Sequence, residues 1–337
     1  MEFQNWYNKN YKKILIIPTL LLAFSLVYLI FFYQTTGDII YKDVSLTGGS
    51  TITVSTQESA TDLTNFLSGK IKDFEIKTIS DGQENQLDLS ITVRDSNTEE
   101  LKTLLEEFFG FKLTEENSSQ ESTSASLSSD FYNQLVVAMI LAFFWMAAVV
   151  FIIFAKGKKV KTNVILLNIL FGFFMGNYFL KLNNIISTII FLAFAVVLIR
   201  LYVKNSIPAL AVMISAFADI TMTLVVVNLM GMQLSTAGIV AFLMLIGYSV
   251  DTDILLTTRV IQKRENTNSL IFGAFKTGMT MTLTSIVAVA TALFVVYSFG
   301  SVLNQIFTIL LIGLFFDMFN TWITNASIIK WYVEKQK

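Results

Sequence analysis

The chain has 337 residues, is 54% hydrophobic with 30 Phe, and has a mean hydropathy of +0.62, values above those of an ordinary soluble domain. It contains neither Cys nor His, which excludes disulfides, thiolate metal sites and imidazole proton shuttles, and leaves carboxylates to carry any proton traffic. The formal net charge of −1 conceals a segregation, because residues 34–131 hold 18 Asp and Glu against 7 Lys and Arg.

The first apolar run, 14–32, is too long for a signal-peptide core and lacks a small-residue cleavage site. Residues 1–33 therefore read as a cytoplasmic N-terminus with a retained transmembrane helix. Residues 34–113 read as an extracytoplasmic domain. Ile52 and Val54 alternate in a strand over 50–55, and Leu63, Phe66 and Leu67 share one side of a helix over 58–70. Residues 74–79 and 86–93 form a hairpin around Ser80, Asp81 and Gly82. Asn97 with Glu100 resembles a helix cap, Leu101, Leu104, Leu105 and Phe108 follow at helical spacing, and Gly110 closes that helix. With a last strand at 111–113, the order β-α-β-β-α-β is that of an α+β ferredoxin-like domain. Residues 114–131, rich in Ser and Glu, read as a flexible linker.

Eight windows then match the ~20 helical residues needed to cross hydrocarbon. After the first come 132–155, a hairpin over 163–202 turning near Lys181 and Asn184, and four helices in a core spanning 205–331, with 332–337 as a tail. The fold class is thus an α-helical polytopic membrane protein of about eight spans with one extracytoplasmic α+β domain. Short loops rich in Lys and Arg, including Lys156, Lys158, Lys159, Lys161, Arg200, Lys204, Arg259 and Lys330, put both termini in the cytoplasm and 34–131 outside.

Ionisable groups within these spans are the main pointer to function, since each costs about 2.5–3.5 kcal/mol to insert at a helix centre. Ser215, Asp219 and Thr223 recur every four residues; Gly247 and Asp251 are four apart, with Tyr248 between them, while Asp253 points about 200° away from Asp251. Lys276, Thr280, Thr284 and Thr291 line one side of the next span, and Asp317, Thr321 and Thr324 do so in the last, with Asn320 and Asn325 beside them. Counting from the outer turn near 231–234, Asp219 and Asp251 differ in depth by roughly 7–8 Å. Asp219 and Asp317 then lie near mid-membrane, and Asp251 shares a depth with Lys276, where the two could pair. The bland alternatives are Ser and Thr bonding their own backbone, Lys276 snorkelling, and Asp253 solvated at the interface. Gly48 and Gly49 open the first external strand, where a Gly pair permits a tight bend. No Walker A run or HExxH motif is present, so no cofactor, metal or nucleotide hydrolysis is expected.

Leu46-Thr-Gly-Gly49 after the first span, the ferredoxin-like domain, and the run LMLIGYSVDTDILLTTR ending at Arg259 together resemble the SecF branch, archaeal type, of the SecD/SecF protein-export family in the RND superfamily. The resemblance covers 1–155 and 205–337, leaving 163–202 as an inserted hairpin. It implies an RND-like core and a non-enzymatic subunit assisting preprotein translocation. The implied partners are SecD, a SecY-type translocon, secreted preprotein chains and membrane lipid, with no nucleic acid. It also implies coupling to the proton gradient, Asp251 falling where SecD proteins hold a relay Asp. Thr280 falls where bacterial relatives hold an Arg, and Lys276 lies one turn earlier. Asp251, Asp253, Asp219, Asp317, Lys276 and Thr280 are accordingly the candidate relay, and Gly48, Gly49, Gly247, Tyr248 and Arg259 the motif residues. The competing readings are an uncoupled scaffold for SecD, an RND-type exporter of lipids or small molecules, and an intramembrane aspartyl protease using Asp219 and Asp251.

Overall fold

The computed structural model describes residues 2–71, 74–80, 86–93, 98–123, 125–179, 184–262, 267–296 and 302–336. The expected turns at 81–82 and 181–183 and the cap at Asn97 lie outside these residues. The chain begins with α1 (Glu2–Ile14) and α2 (Ile16–Thr36), separated at Leu15. Pro18 explains the break, since it has no N–H to donate to the carbonyl of Ile14.

The α+β domain contains α3 (Val44–Thr47), β1 (Gly49–Ser55), α4 (Ala60–Leu67), β2 (Phe74–Ser80), β3 (Gln86–Val93), α5 (Thr98–Phe109) and β4 (Ser118–Thr123). Its sheet is antiparallel in the order β2-β3-β1-β4, the ferredoxin-like arrangement. Ile52 lies opposite Ile91 and Val54 opposite Leu89, and these side chains pack on Leu63, Leu67, Leu101 and Leu105. The last strand is not 111–113. Leu113 instead plugs the core, its amide donating to Glu106 Oε1 at 2.9 Å. Ser118–Thr123, within the segment expected to be a linker, pairs with β1 from Val54↔Ser118 to Gly49↔Thr123. This polar edge strand carries no apolar alternation, because backbone pairing rather than burial holds it.

The strand is followed almost at once by α6 (Ala125–Phe154), then α7 (Lys158–Asn177), α8 (Asn184–Asn205), α9 (Ile207–Leu229), α10 (Thr236–Gln262), α11 (Thr267–Val296) and α12 (Val302–Asn320). A π-helical turn, Thr321–Asn325, joins α12 to α13 (Ala326–Glu334). Among the described residues eight helical segments are long and apolar enough to cross a membrane. The most buried is α9, where Ala209, Ala211, Ser215, Ala216 and Ala218 allow close helix approach. The α7–α8 hairpin packs on α6 through Phe144, Phe171, Phe191 and Phe194, and Phe151 meets Tyr202 with ring centroids 4.6 Å apart.

Hydrogen bonds join the α+β domain to the bundle. Leu234 N–H donates to Tyr41 O at 2.7 Å, Asp43 N–H donates to Leu234 O at 2.9 Å, and Tyr132 OH donates to Asp38 Oδ1 at 2.7 Å. Leu46 is buried in the same junction, and the chain leaves it through Gly48 at φ 81° and Gly49 at φ 141°, conformations that side chains with a Cβ rarely adopt.

At the opposite end, Lys330 is not a loop cation but is buried at 1% exposure. Its Nζ donates to Asn8 Oδ1 at 2.6 Å and lies 4.7 Å from the centre of the Tyr11 ring, while Tyr11 OH donates to Glu334. A buried ammonium deprived of its acceptor loses about 1.5–3 kcal/mol. Asn8→Ala should therefore loosen α1 and speed tryptic cleavage at Lys9, Lys12 and Lys13; an unchanged cleavage rate would show that this contact does not hold the helix.

Candidate functional site

Three helices contribute polar side chains at four-residue spacing to one buried cluster. From α9 come Ser215, Asp219 and Thr223; from α10 come Ser249, Asp253 and Thr257; the third set comes from α12 and the π turn, with Asp317, Asn320, Thr321, Thr324 and Asn325. Asp219 and Asp253 are 0% exposed and Asp317 is 1% exposed. Asp219 accepts from Ser249 Oγ at 2.6 Å and from Asn320 Nδ2 at 2.7 Å. Asp253 Oδ1 accepts from Asn325 Nδ2 at 2.8 Å, and Asp317 Oδ1 accepts from Thr321 Oγ1 at 3.2 Å. Thr324 Oγ1 in turn donates to Asn320 Oδ1 at 3.1 Å. The π turn matters here, because its extra residue shifts the helical phase and lets Thr321, Thr324 and Asn325 all be buried in one short stretch.

The three carboxyl groups lie within electrostatic reach of one another. Among the described residues no Lys or Arg comes within ion-pair distance of any of them. Asp253 Oδ2 and Ser215 Oγ are both buried without a hydrogen-bond partner. Burying charge without a counter-charge costs several kcal/mol per ion.

Asp251 lies elsewhere. It is on the exposed stripe of α10 with Val240, Met244, Gly247 and Tyr248, and it makes no ion pair with Lys276. Lys276, Thr280, Thr284 and Thr291 are exposed along α11, and each of the three threonines bonds its own helix backbone. Arg259 braces α10 on α11, its Nη1 donating to Gly273 O at 2.8 Å and Thr277 Oγ1 at 3.0 Å. Sequence reasoning missed Ser249 and Thr257, although their spacing of four on either side of Asp253 repeats that of Ser215 and Thr223 about Asp219.

Eight apolar spans among the described residues, a buried carboxyl cluster and a ferredoxin-like domain define a polytopic membrane protein with an added α+β domain. The family model described as protein export membrane protein SecD/SecF, C-terminal, matches residues 172–335. The protein-export membrane protein SecF of Methanocaldococcus jannaschii is 32% identical over 336 residues, covering 98% of each chain. That of Methanothermobacter thermautotrophicus is 30% identical over 333 residues, covering 97% of this chain and 94% of its own. The chain belongs to the SecF family of protein-export membrane proteins. The crystal structure of SecDF, a translocon-associated membrane protein from Thermus thermophilus, shares the fold at a TM-score of 0.58 with 14% identity. The match covers 99% of this chain and 39% of that one.

Proposed function

We propose that this chain assists the export of secreted polypeptides as one half of a membrane complex with a SecD-type partner, beside a SecY-type translocon. In this reading proton movement through the Asp219–Asp253–Asp317 cluster shifts the packing of α9, α10 and α12. The carrying observation is the cluster itself, three buried carboxyl groups with no cation among the described residues beside them. The partner is supported by the exposed faces of α10 and α11. Asp251, Tyr248 and Lys276 present polar atoms at depths where lipid would leave them unsatisfied, so a second helical bundle is expected to cover them. The basic short loops support cytoplasmic termini with the external domain across the membrane.

The lack of a neighbouring cation also fits an uncoupled scaffold that only positions the partner, and neutralising Asp253 separates the two readings. The partner is tested by cysteine crosslinking, since the chain has no native Cys. Tyr248→Cys should yield an adduct with a co-purifying SecD-type subunit, whereas Ser249→Cys, at a fully buried position, should not. Equal yields from both positions, or none from Tyr248→Cys in intact membranes, would reject this face as the interface.

A further inference from the structure

The α7–α8 hairpin takes no part in the carboxyl cluster, yet it has a charge pattern of its own. Between Asp130 and Asp219 the sequence contains no Asp or Glu. Within that acid-free stretch Lys156, Lys158, Lys159 and Lys161 precede or open α7, and Arg200 and Lys204 lie in the last turns of α8. The structure brings the two groups to one end of the bundle. Phe151, Ala155, Val164, Leu198 and Tyr202 form a single buried cluster, and the Phe151 and Tyr202 rings meet at 4.6 Å. Tyr202 lies between Arg200 and Lys204 in sequence, and Ala155 directly precedes Lys156, so all six cations rim the same packed layer. Lys156, Lys158, Lys159, Arg200 and Lys204 are exposed, Lys161 is half-buried, and among the described residues none of the six forms an ion pair. Beyond this rim the hairpin presents apolar side chains on its outer surface, with Leu166, Ile169, Leu170 and Phe173 on α7 and Ile189, Leu192 and Val196 on α8 all exposed.

We infer that this rim binds the phosphate headgroups of anionic phospholipids and that the hairpin is a lipid-binding element. The apolar surface faces acyl chains and the cations sit where that surface ends, at headgroup level. Clusters of four to eight Lys and Arg immediately beside a membrane helix attract anionic lipid at about 1 kcal/mol each, which at ~1.4 kcal/mol per decade is roughly fivefold in local occupancy. A soluble acidic partner would satisfy the charges but not the apolar side chains beyond them. The inference does not depend on export activity or on the carboxyl cluster.

The test uses the full chain reconstituted in bilayers of phosphatidylcholine with a minority of phosphatidylglycerol, comparing the immobilised fractions of spin-labelled forms of each lipid. Phosphatidylglycerol should be enriched about tenfold or more at the protein. The enrichment should fall in high salt, which screens exposed charges, and at fixed ionic strength should survive replacement of chloride by inorganic phosphate, which competes only for a free-anion site. Changing Lys156, Lys158, Lys159 and Lys161 to Gln should remove most of it, and changing the same residues to Arg should preserve it. Should the Gln variant fold poorly, the salt titration of the unaltered protein and the Arg variant decide the matter alone. Equal immobilisation of the two lipids, enrichment insensitive to salt or unchanged by the Gln variant, or displacement by inorganic phosphate would each overturn the inference.

Discussion

Asp253→Asn is expected to abolish the component of export that depends on an ion gradient while leaving the protein folded in the membrane at its normal level. The substitution is nearly isosteric at a position that is 0% exposed. Asn keeps the oxygen that accepts from Asn325 Nδ2 at 2.8 Å, and its amide replaces Oδ2, which has no partner to lose. Packing is therefore conserved and only the capacity to carry charge or a proton is removed. Asp219→Asn should cost more in stability, because Asp219 accepts from both Ser249 and Asn320 and an amide offers one accepting oxygen in place of two. A buried donor left facing a donor costs about 1–3 kcal/mol. The measurement is uptake of a secreted substrate into vesicles with and without an imposed proton gradient. Full gradient-dependent uptake in Asp253→Asn would falsify the coupling proposal and leave the scaffold reading standing.

Gly278→Leu is expected to lower the apparent Tm by several degrees or to prevent accumulation of the protein. A Cβ at Gly278 on α11 would lie 2.5 Å from Trp322 Cζ2 and 2.9 Å from its Cη2. The indole is rigid and 7% exposed, packed edge-on against Phe275 at 5.0 Å, and it belongs to the π turn. Overpacking of this kind costs about 1–3 kcal/mol for added methylenes, and a Leu adds more than one. Because Trp322 shares its turn with Thr321 and Asn325, the strain falls on the carboxyl cluster as well. Gly247→Leu is the control, for its Cβ would meet nothing within 4 Å and the position is exposed. Thermal unfolding in detergent distinguishes the two, and equal Tm values would contradict the close contact.

Much of the architecture was readable from periodicity alone. Alternation at Leu89, Ile91 and Val93 identified β3, and helical spacing at Leu101, Leu104, Leu105 and Phe108 identified α5, because burial on one face forces those patterns, although Leu87, which continues the first alternation, is exposed. The eight spans followed from length and apolarity. The strand Ser118–Thr123 did not, since an edge held by backbone hydrogen bonds leaves no apolar signature. In the bundle, helical spacing correctly set Asp251 and Asp253 on opposite sides of α10 but not which side turned inward, and Asp251 drew attention for its place in a family-like motif. The triplet Ser249, Asp253 and Thr257 held the missing signal, a polar stripe in register with those around Asp219 and Asp317.

The sequence by itself determined that this protein crosses a membrane many times, that its acidic segment folds as a ferredoxin-like domain, and that charged groups occur where lipid penalises them. Those properties depend on local composition and spacing, which a linear reading preserves. Only the tertiary structure decided which carboxyl groups meet, since the inward face of a helix is fixed by its neighbours. Packing on the small residues of α9 turns Asp253 into the bundle and leaves Asp251 outside, and a single π turn brings Asn325 to Asp253.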